Sequence, residues 1–206
     1  MAGEYPMKKG MFICIEGIDA SGKTTQAKLL VKNLNKKGYE AIYTSEPTRG
    51  FFGQILRQRI LYGNKRVPAV IEALLFALDR LEHVEKEIKP ALEKGKIIVS
   101  DRYLYSSIAY QGAAGLDPAW IEEINKWAVK PDLAIYLDVP AEVVIKRLGK
   151  KRSVMETLEN QRKVREVYLR LVNEGKLMLI DGNRSVKEIG EEILQVVLER
   201  LKNRSL

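Results

Sequence analysis

The sequence predicts an α/β protein in which helices cover both faces of a five-stranded parallel sheet. Two observations carry that prediction. Five short runs rich in isoleucine, valine and tyrosine lack the alternation of a half-exposed antiparallel sheet, and the segments between them place apolar residues at helical spacing. Strands separated by helices need crossover connections, and these are right-handed and lay the strands parallel.

The first strand is expected over Met11–Glu16, and the glycine-rich stretch "IEGIDASGKTT" begins at its end. A helix follows over 24–37, with Ala27, Leu30, Val31 and Leu34 on one stripe and Gly38 as its stop. The second and third strands fall at 40–44 and 96–100, separated by a long helical pattern over 69–94 that Pro90 should kink or divide. Asp117-Pro118 starts a helix expected over 120–129, and the fourth strand spans 133–139. The last strand, 177–180, precedes a helix over 185–202 in which Val186, Ile189, Ile193 and Val197 recur at helical spacing. The interval 149–165, "GKKRSVMETLENQRKVR", is basic and poor in apolar side chains, so it reads as a mobile surface element.

Composition narrows the function classes. The 206 residues suit one domain, and one cysteine excludes a disulfide within the chain. Cys14 lies among Phe12, Ile13 and Ile15 and reads as a core side chain. No apolar segment precedes Gly10 and no run approaches the roughly 20 apolar residues of a membrane span, so a cytoplasmic protein without membrane contact is expected. The net charge of +8 could serve nucleic acid, membranes or small phosphorylated ligands. Its lysines, as in "KNLNKK", are spread over helical surfaces instead of forming a basic stripe interleaved with aromatics, so no nucleic-acid partner is expected.

Gly17, Gly22, Lys23 and Thr24 satisfy G-x-x-x-x-G-K-T between a strand and a helix, the context that makes the pattern a nucleotide-phosphate loop. Its members Gly17, Ile18, Asp19, Ala20, Ser21, Gly22, Lys23, Thr24 and Thr25 would wrap ATP phosphates with backbone amides and the N-terminus of the following helix. Lys23 supplies a point charge, and Thr24 a hydroxyl for magnesium. A switch GTPase is disfavoured, because the Asn-Lys pairs continue as "NKKG", "NKRV" and "NKWA", without the aspartate that reads guanine. The third strand closes as "KIIVSDRY", which puts Asp101 where it can approach magnesium and Arg102 where it can grip a second phosphate across the crevice. The same dipeptide could also brace a helix. A phosphate-loop module that binds nucleotide or DNA without turning over a nucleotide is the rival to a kinase.

Five features in order, "EGIDASGKTTQ", "EPTRG", "LLFALDRLEH", "SDRY" with "AYQG", and "PDLAIYLDV", make the whole chain resemble the thymidylate kinases. The resemblance implies a three-layer P-loop nucleoside monophosphate kinase fold, a homodimer, and ATP-dependent, magnesium-dependent phosphorylation of thymidine monophosphate on the route to dTTP, with deoxyuridine monophosphate left open as a further acceptor. It implies that Asp19 meets the deoxyribose 3′-hydroxyl and that Arg49 and Arg102 hold the acceptor phosphate through their rigid forks. Phe76 and Arg80, four apart and so on one helical face, would stack on thymine and reach its carbonyl. Tyr103, Tyr110 and Gln111 would complete the nucleoside pocket, the two tyrosines sharing a face at a spacing of seven, with Gln111 hydrogen-bonded to the base. On the donor side the resemblance points to Arg147 and to Asn183 and Arg184 against adenine. It makes 149–165 a closing lid on a single domain spanning 1–206. Ala20 occupies the loop position where some members carry a catalytic arginine, so that arginine is sought in the lid, with Arg152 the candidate beside Lys150 and Lys151. Val154 stands where an acid often follows it, and "EPTRG" departs from the Glu-Pro-Gly-Gly of bacterial members.

Overall fold

A computed structural model describes residues 10–61, 67–148 and 157–203. Its five strands are β1 (Met11–Glu16), β2 (Ala41–Ser45), β3 (Ile97–Asp101), β4 (Leu133–Asp138) and β5 (Met178–Asp181). All neighbours are parallel, in the order β2-β3-β1-β4-β5. The strands lie within one residue of their expected limits at every end.

β1 shows how the layers arise. Phe12 and Cys14 point to one face and Met11, Ile13 and Ile15 to the other, each set joining a separate buried cluster. On the second face lie α1 (Lys23–Lys36) and α9 (Val186–Asn203), which contribute Ala27, Leu30, Leu34, Ile189, Ile193 and Val197. On the first face α5 (Leu104–Ala113) and α8 (Leu158–Asn173) contribute Ile108, Ala109, Val164, Val167, Tyr168 and Leu171. Cys14 is a buried free thiol within that layer.

The pattern over 69–94 divides upstream of its proline. α3 (Ala69–His83) passes into one π-helical turn, Val84–Ile88, and α4 (Lys89–Glu93) then carries Pro90 in its first turn. Proline offers no N–H and crowds the carbonyl four residues before it, and a widened turn relieves both. α6 (Pro118–Ile124) starts where expected, with Asp117 accepting from Ala119 N at 3.0 Å, but ends five residues early. Two short helices, α2 (Phe51–Leu56) and α7 (Ala141–Leu148), were not among the elements expected, although Ala141, Val144, Ile145 and Leu148 of α7 recur at helical spacing.

The interval 149–165, expected as a mobile surface element, is described from residue 157. Residues 149–156, Arg152, Lys150 and Lys151 included, lie outside the described residues. From Leu158 the chain is helix α8, capped by Thr157, whose hydroxyl accepts from Asn160 N at 3.2 Å. Arg162 and Lys163 face outward and Arg165 pairs with Asp138, while Gln161 and Val164 are buried, so the polar composition reflected one face of an amphipathic helix. Among the described residues, no helix is long and apolar enough to cross a membrane.

Candidate active site

β1 sits at the centre of the sheet, with β3 on one side and β4 on the other, so connections leave it toward opposite faces and open a crevice at the strands' C-terminal ends. The glycine-rich loop fills that position. Gly17 has φ 153° and a Cβ there would meet Ser21 Oγ at 2.5 Å and Leu137 O at 3.0 Å, so the loop can curl this tightly only with glycine. Gly22, at φ 99°, turns the chain into α1, whose first turn has neither a side-chain cap nor an acidic residue. Its N-terminal amides are therefore available to an anion. Lys23 Nζ reaches back over the loop to Ile18 O at 2.6 Å and Ser21 Oγ at 3.4 Å. Burial, with Arg102 adding repulsion, pushes the Lys23 ammonium down to about 8.

Arg102 is the pivot of the site. It follows β3 with φ 70°, a left-handed conformation that costs a non-glycine residue roughly 1–2 kcal/mol. Its backbone N–H bonds Ile15 O at 3.0 Å. From this turn the guanidinium pairs with Asp19 Oδ1 and donates to Gly17 O at 3.1 Å, Ser106 Oγ at 3.1 Å and Tyr110 OH at 3.3 Å, lying over the Tyr110 ring. Burial pushes the Asp19 carboxyl up, but the charges of Arg102 and Lys23 outweigh it and hold the group below its ordinary value. On the other side of the loop Thr24 Oγ1 donates to Asp101 Oδ2, and Tyr43 OH lies 3.5 Å from the same oxygen. The two residues expected at magnesium are thus in contact.

Glu16 holds this turn from beneath. Fully buried at the end of β1, it accepts from Tyr103 N at 2.9 Å, Ser106 N at 3.2 Å, Ser106 Oγ at 2.6 Å and Tyr168 OH at 2.9 Å. Burial pushes its carboxyl up despite these donors.

A second cluster lies between α3 and α5. Arg80 is 1% exposed and donates to Glu46 Oε2 at 2.6 Å, Asn125 Oδ1 at 2.6 Å, Tyr103 O at 3.1 Å and Ser107 Oγ at 3.1 Å, while its Nε is buried without a hydrogen-bond partner. Glu46 is shared with His83, whose Nδ1 is 3.1 Å from Oε1, and His83 Nε2 is 2.7 Å from Thr44 Oγ1. Phe76, one turn before Arg80 on α3, is partly buried. Gln111 is buried and donates through Nε2 to Glu72 Oε1 at 2.7 Å.

The remaining expected residues are placed unevenly. Tyr103 precedes α5 in an extended conformation, so the seven-residue helical spacing to Tyr110 does not apply; its ring is in the core, edge-on to Phe12 and beneath Arg80. Arg49 is exposed on the connection after β2. Arg147, on α7, reaches Ala20 O at 3.4 Å and Asn183 Oδ1 at 3.5 Å, so three of the residues expected at the donor are linked by long hydrogen bonds. Arg184 instead pairs with Glu192 on α9. Sequence reasoning missed Glu16, Glu46, Glu72 and Gln161. The signal for the first two was a carboxylate closing or directly following an apolar strand, and for Glu72 the spacing 72, 76, 80 along one helical face.

Comparison with known proteins adds an independent line. A family model described as thymidylate kinase matches residues 15–193. The chain is 44% identical to a probable thymidylate kinase of Thermococcus gammatolerans, over 93% of this chain and 98% of that protein. It is 46% identical to one of Pyrococcus abyssi, over 94% and 98%, and 45% identical to one of Methanocaldococcus jannaschii, over 91% and 96%.

Proposed function

We propose that this chain, which belongs to the thymidylate kinase family, transfers the γ-phosphoryl group of ATP to thymidine monophosphate, giving thymidine diphosphate and ADP. The observation that carries the reading is the Asp19–Arg102 pair, which joins the phosphate loop to the Tyr110 side of the second cluster. A donor phosphate on the loop and an acceptor phosphate on Arg102 would then face each other across one ion pair.

Phosphoryl transfer asks the protein for alignment and charge stabilisation, since the acceptor oxygen is already anionic. Lys23 and the α1 amides would hold the donor phosphates, Arg102 the acceptor phosphate, and Asp19 the sugar hydroxyl. Tyr110, packed against Arg102, would close the space beside the sugar. Phe76, Arg80 and Gln111 would receive the base. Arg49 is free to reach the acceptor phosphate from the loop after β2, and Arg152 is the candidate for the cation following the transferred group.

Thr24 and Asp101 are hard oxygen donors in contact at the mouth of the loop, and this set fits magnesium. No group of three or more histidine, cysteine, aspartate or glutamate side chains suited to a metal occurs among the described residues, which agrees with an ion held jointly with substrate phosphates. When bound, magnesium would neutralise phosphate charge.

A homodimer is part of the proposal. Val70, Ile71, Leu74 and Leu78 form an apolar stripe on α3 that stays more than 40% exposed, and Phe51 on α2 is 66% exposed. A second copy of the same surface would cover it. Cytoplasmic location fits a reaction that draws on ATP.

The test is a panel of nucleoside monophosphates incubated with magnesium and ATP, reading both products. Diphosphate and ADP formed in equal amounts with thymidine monophosphate support the reading, and ADP formed without any diphosphate refutes it.

A further inference from the structure

Gln111 is 1% exposed on α5, and the two ends of its side-chain amide meet different surroundings. Nε2 donates to Glu72 Oε1 at 2.7 Å, whereas Oε1 is buried without a hydrogen-bond partner. Glu72, on α3, is fully buried. A carboxylate oxygen accepts hydrogen bonds, and the group that meets Glu72 Oε1 is the NH₂ end of the amide. Turning the amide over would set two acceptor oxygens against each other in a buried site, where no solvent softens the repulsion. Glu72 therefore decides which end of Gln111 is left for a ligand, and it leaves an acceptor. On the same pair of helices Arg80 Nε is a buried donor without a partner. An unmet acceptor together with an unmet donor complements a ring edge that carries N–H beside C=O.

We propose that Glu72 is a positioning residue that fixes the Gln111 carbonyl toward the nucleobase, so that the site selects pyrimidines whose ring nitrogen at that edge bears hydrogen and rejects those in which it is a bare acceptor. Thymine and uracil carry N–H there, and cytosine does not. The inference rests on the reading of Gln111 as the base contact. The proposed role of Glu72 runs through Gln111, so its influence belongs to acceptor affinity and to the choice between acceptors.

Glutamine at position 72 is isosteric but can donate as well as accept, which frees the Gln111 amide to turn. For Glu72→Gln, the preference in kcat/KM for thymidine over deoxycytidine monophosphate should fall about tenfold, since a correctly paired group in a buried site discriminates at that level or above. The change should appear mainly in the acceptor KM, with the KM for ATP unaltered. A preference within about twofold of wild type would overturn the role of Glu72, a change well below the loss expected for an unpaired buried group. Gln111→Leu separates the underlying reading. If that variant binds thymidine monophosphate as well as wild type, Gln111 is not the base contact; if it binds weakly while Glu72→Gln keeps full preference, only the positioning role falls. A neutron structure of the wild-type protein with thymidine monophosphate decides the matter without any variant. Deuterons on the amide nitrogen facing Glu72 are expected, and deuterons facing the base would contradict the proposal.

Discussion

Gln161 grips Asp19 from two directions: its Oε1 accepts from Asp19 N–H at 3.1 Å and its Nε2 donates to Asp19 Oδ2 at 3.0 Å. The pair joins α8 to the phosphate loop across 142 positions of sequence. With Arg102 on Oδ1 and Gln161 on Oδ2, the carboxylate is held in one orientation before any substrate arrives. Gln161→Ala should loosen that orientation and raise the KM for thymidine monophosphate by about tenfold, the equivalent of roughly 1.4 kcal/mol. Steady-state kinetics against each substrate would check this, and an unchanged acceptor KM would remove Gln161 from the site.

Lys23 is an expensive residue for the free protein. It is 6% exposed, and its ammonium titrates at about 8 against an ordinary 10.5. Below about pH 8 both folded and unfolded chains hold the proton, so the folded state carries the full cost of a buried charge. Between about 8 and 10.5 the unfolded chain binds more protons, and stability contributed at this site rises with pH. Lys23→Met should therefore stabilise the protein at pH 7 by on the order of 1–3 kcal/mol and lower turnover at least about a hundredfold. The stability gain should shrink as pH rises through that window. Denaturant melts at pH 7 and pH 10 would show it; a variant less stable than wild type at pH 7 would contradict the argument.

Glu46 balances Arg80 and also meets His83, and both charged partners of the Arg80–Glu46 pair are almost wholly out of water. Removing one member of such a pair leaves an uncompensated buried charge, so Glu46→Ala should cost about 3–5 kcal/mol. Urea unfolding reads it directly. A cost below about 1 kcal/mol would mean that water enters and solvates Arg80.

The α3 stripe can be tested by charge. Leu74→Glu together with Leu78→Glu places carboxylates on a face where burial is proposed, and unpaired buried charge disfavours association strongly. Sedimentation equilibrium should find a dimer for wild type and a monomer for the double variant. A wild-type monomer at all accessible concentrations would leave the stripe without its proposed cover.

The sheet was legible because its three inner strands, β1, β3 and β4, are apolar runs buried along nearly their whole length, and the part-exposed edge strands β2 and β5 are still short apolar runs between helical patterns, a signal that needs no knowledge of partners. The phosphate loop was legible for the same local reason, since Gly17, Gly22, Lys23 and Thr24 act within eight residues of one another. What stayed hidden is polar and non-local. Glu46 and Arg80 are 34 positions apart, and Glu72 and Gln111 are 39 apart, so nothing in either neighbourhood announces the pairing. His83, on α3, is buried because Thr44 and Glu46 arrive from the end of β2 to meet its ring. The helix that begins at Leu158 was hidden because one of its faces is strongly charged; Gln161 and Val164 are the first buried residues of its inner side.

The most direct measurement follows the phosphoryl group itself. With ATP labelled at the γ-phosphate, a single turnover in the presence of magnesium and thymidine monophosphate should place the label in the β-phosphate of thymidine diphosphate. Little inorganic phosphate should form, and omission of the acceptor should leave ATP intact. Label released as inorganic phosphate at the same rate with and without thymidine monophosphate would show that the phosphate loop serves hydrolysis and that Arg102, Asp19 and the cluster around Arg80 do not present an acceptor.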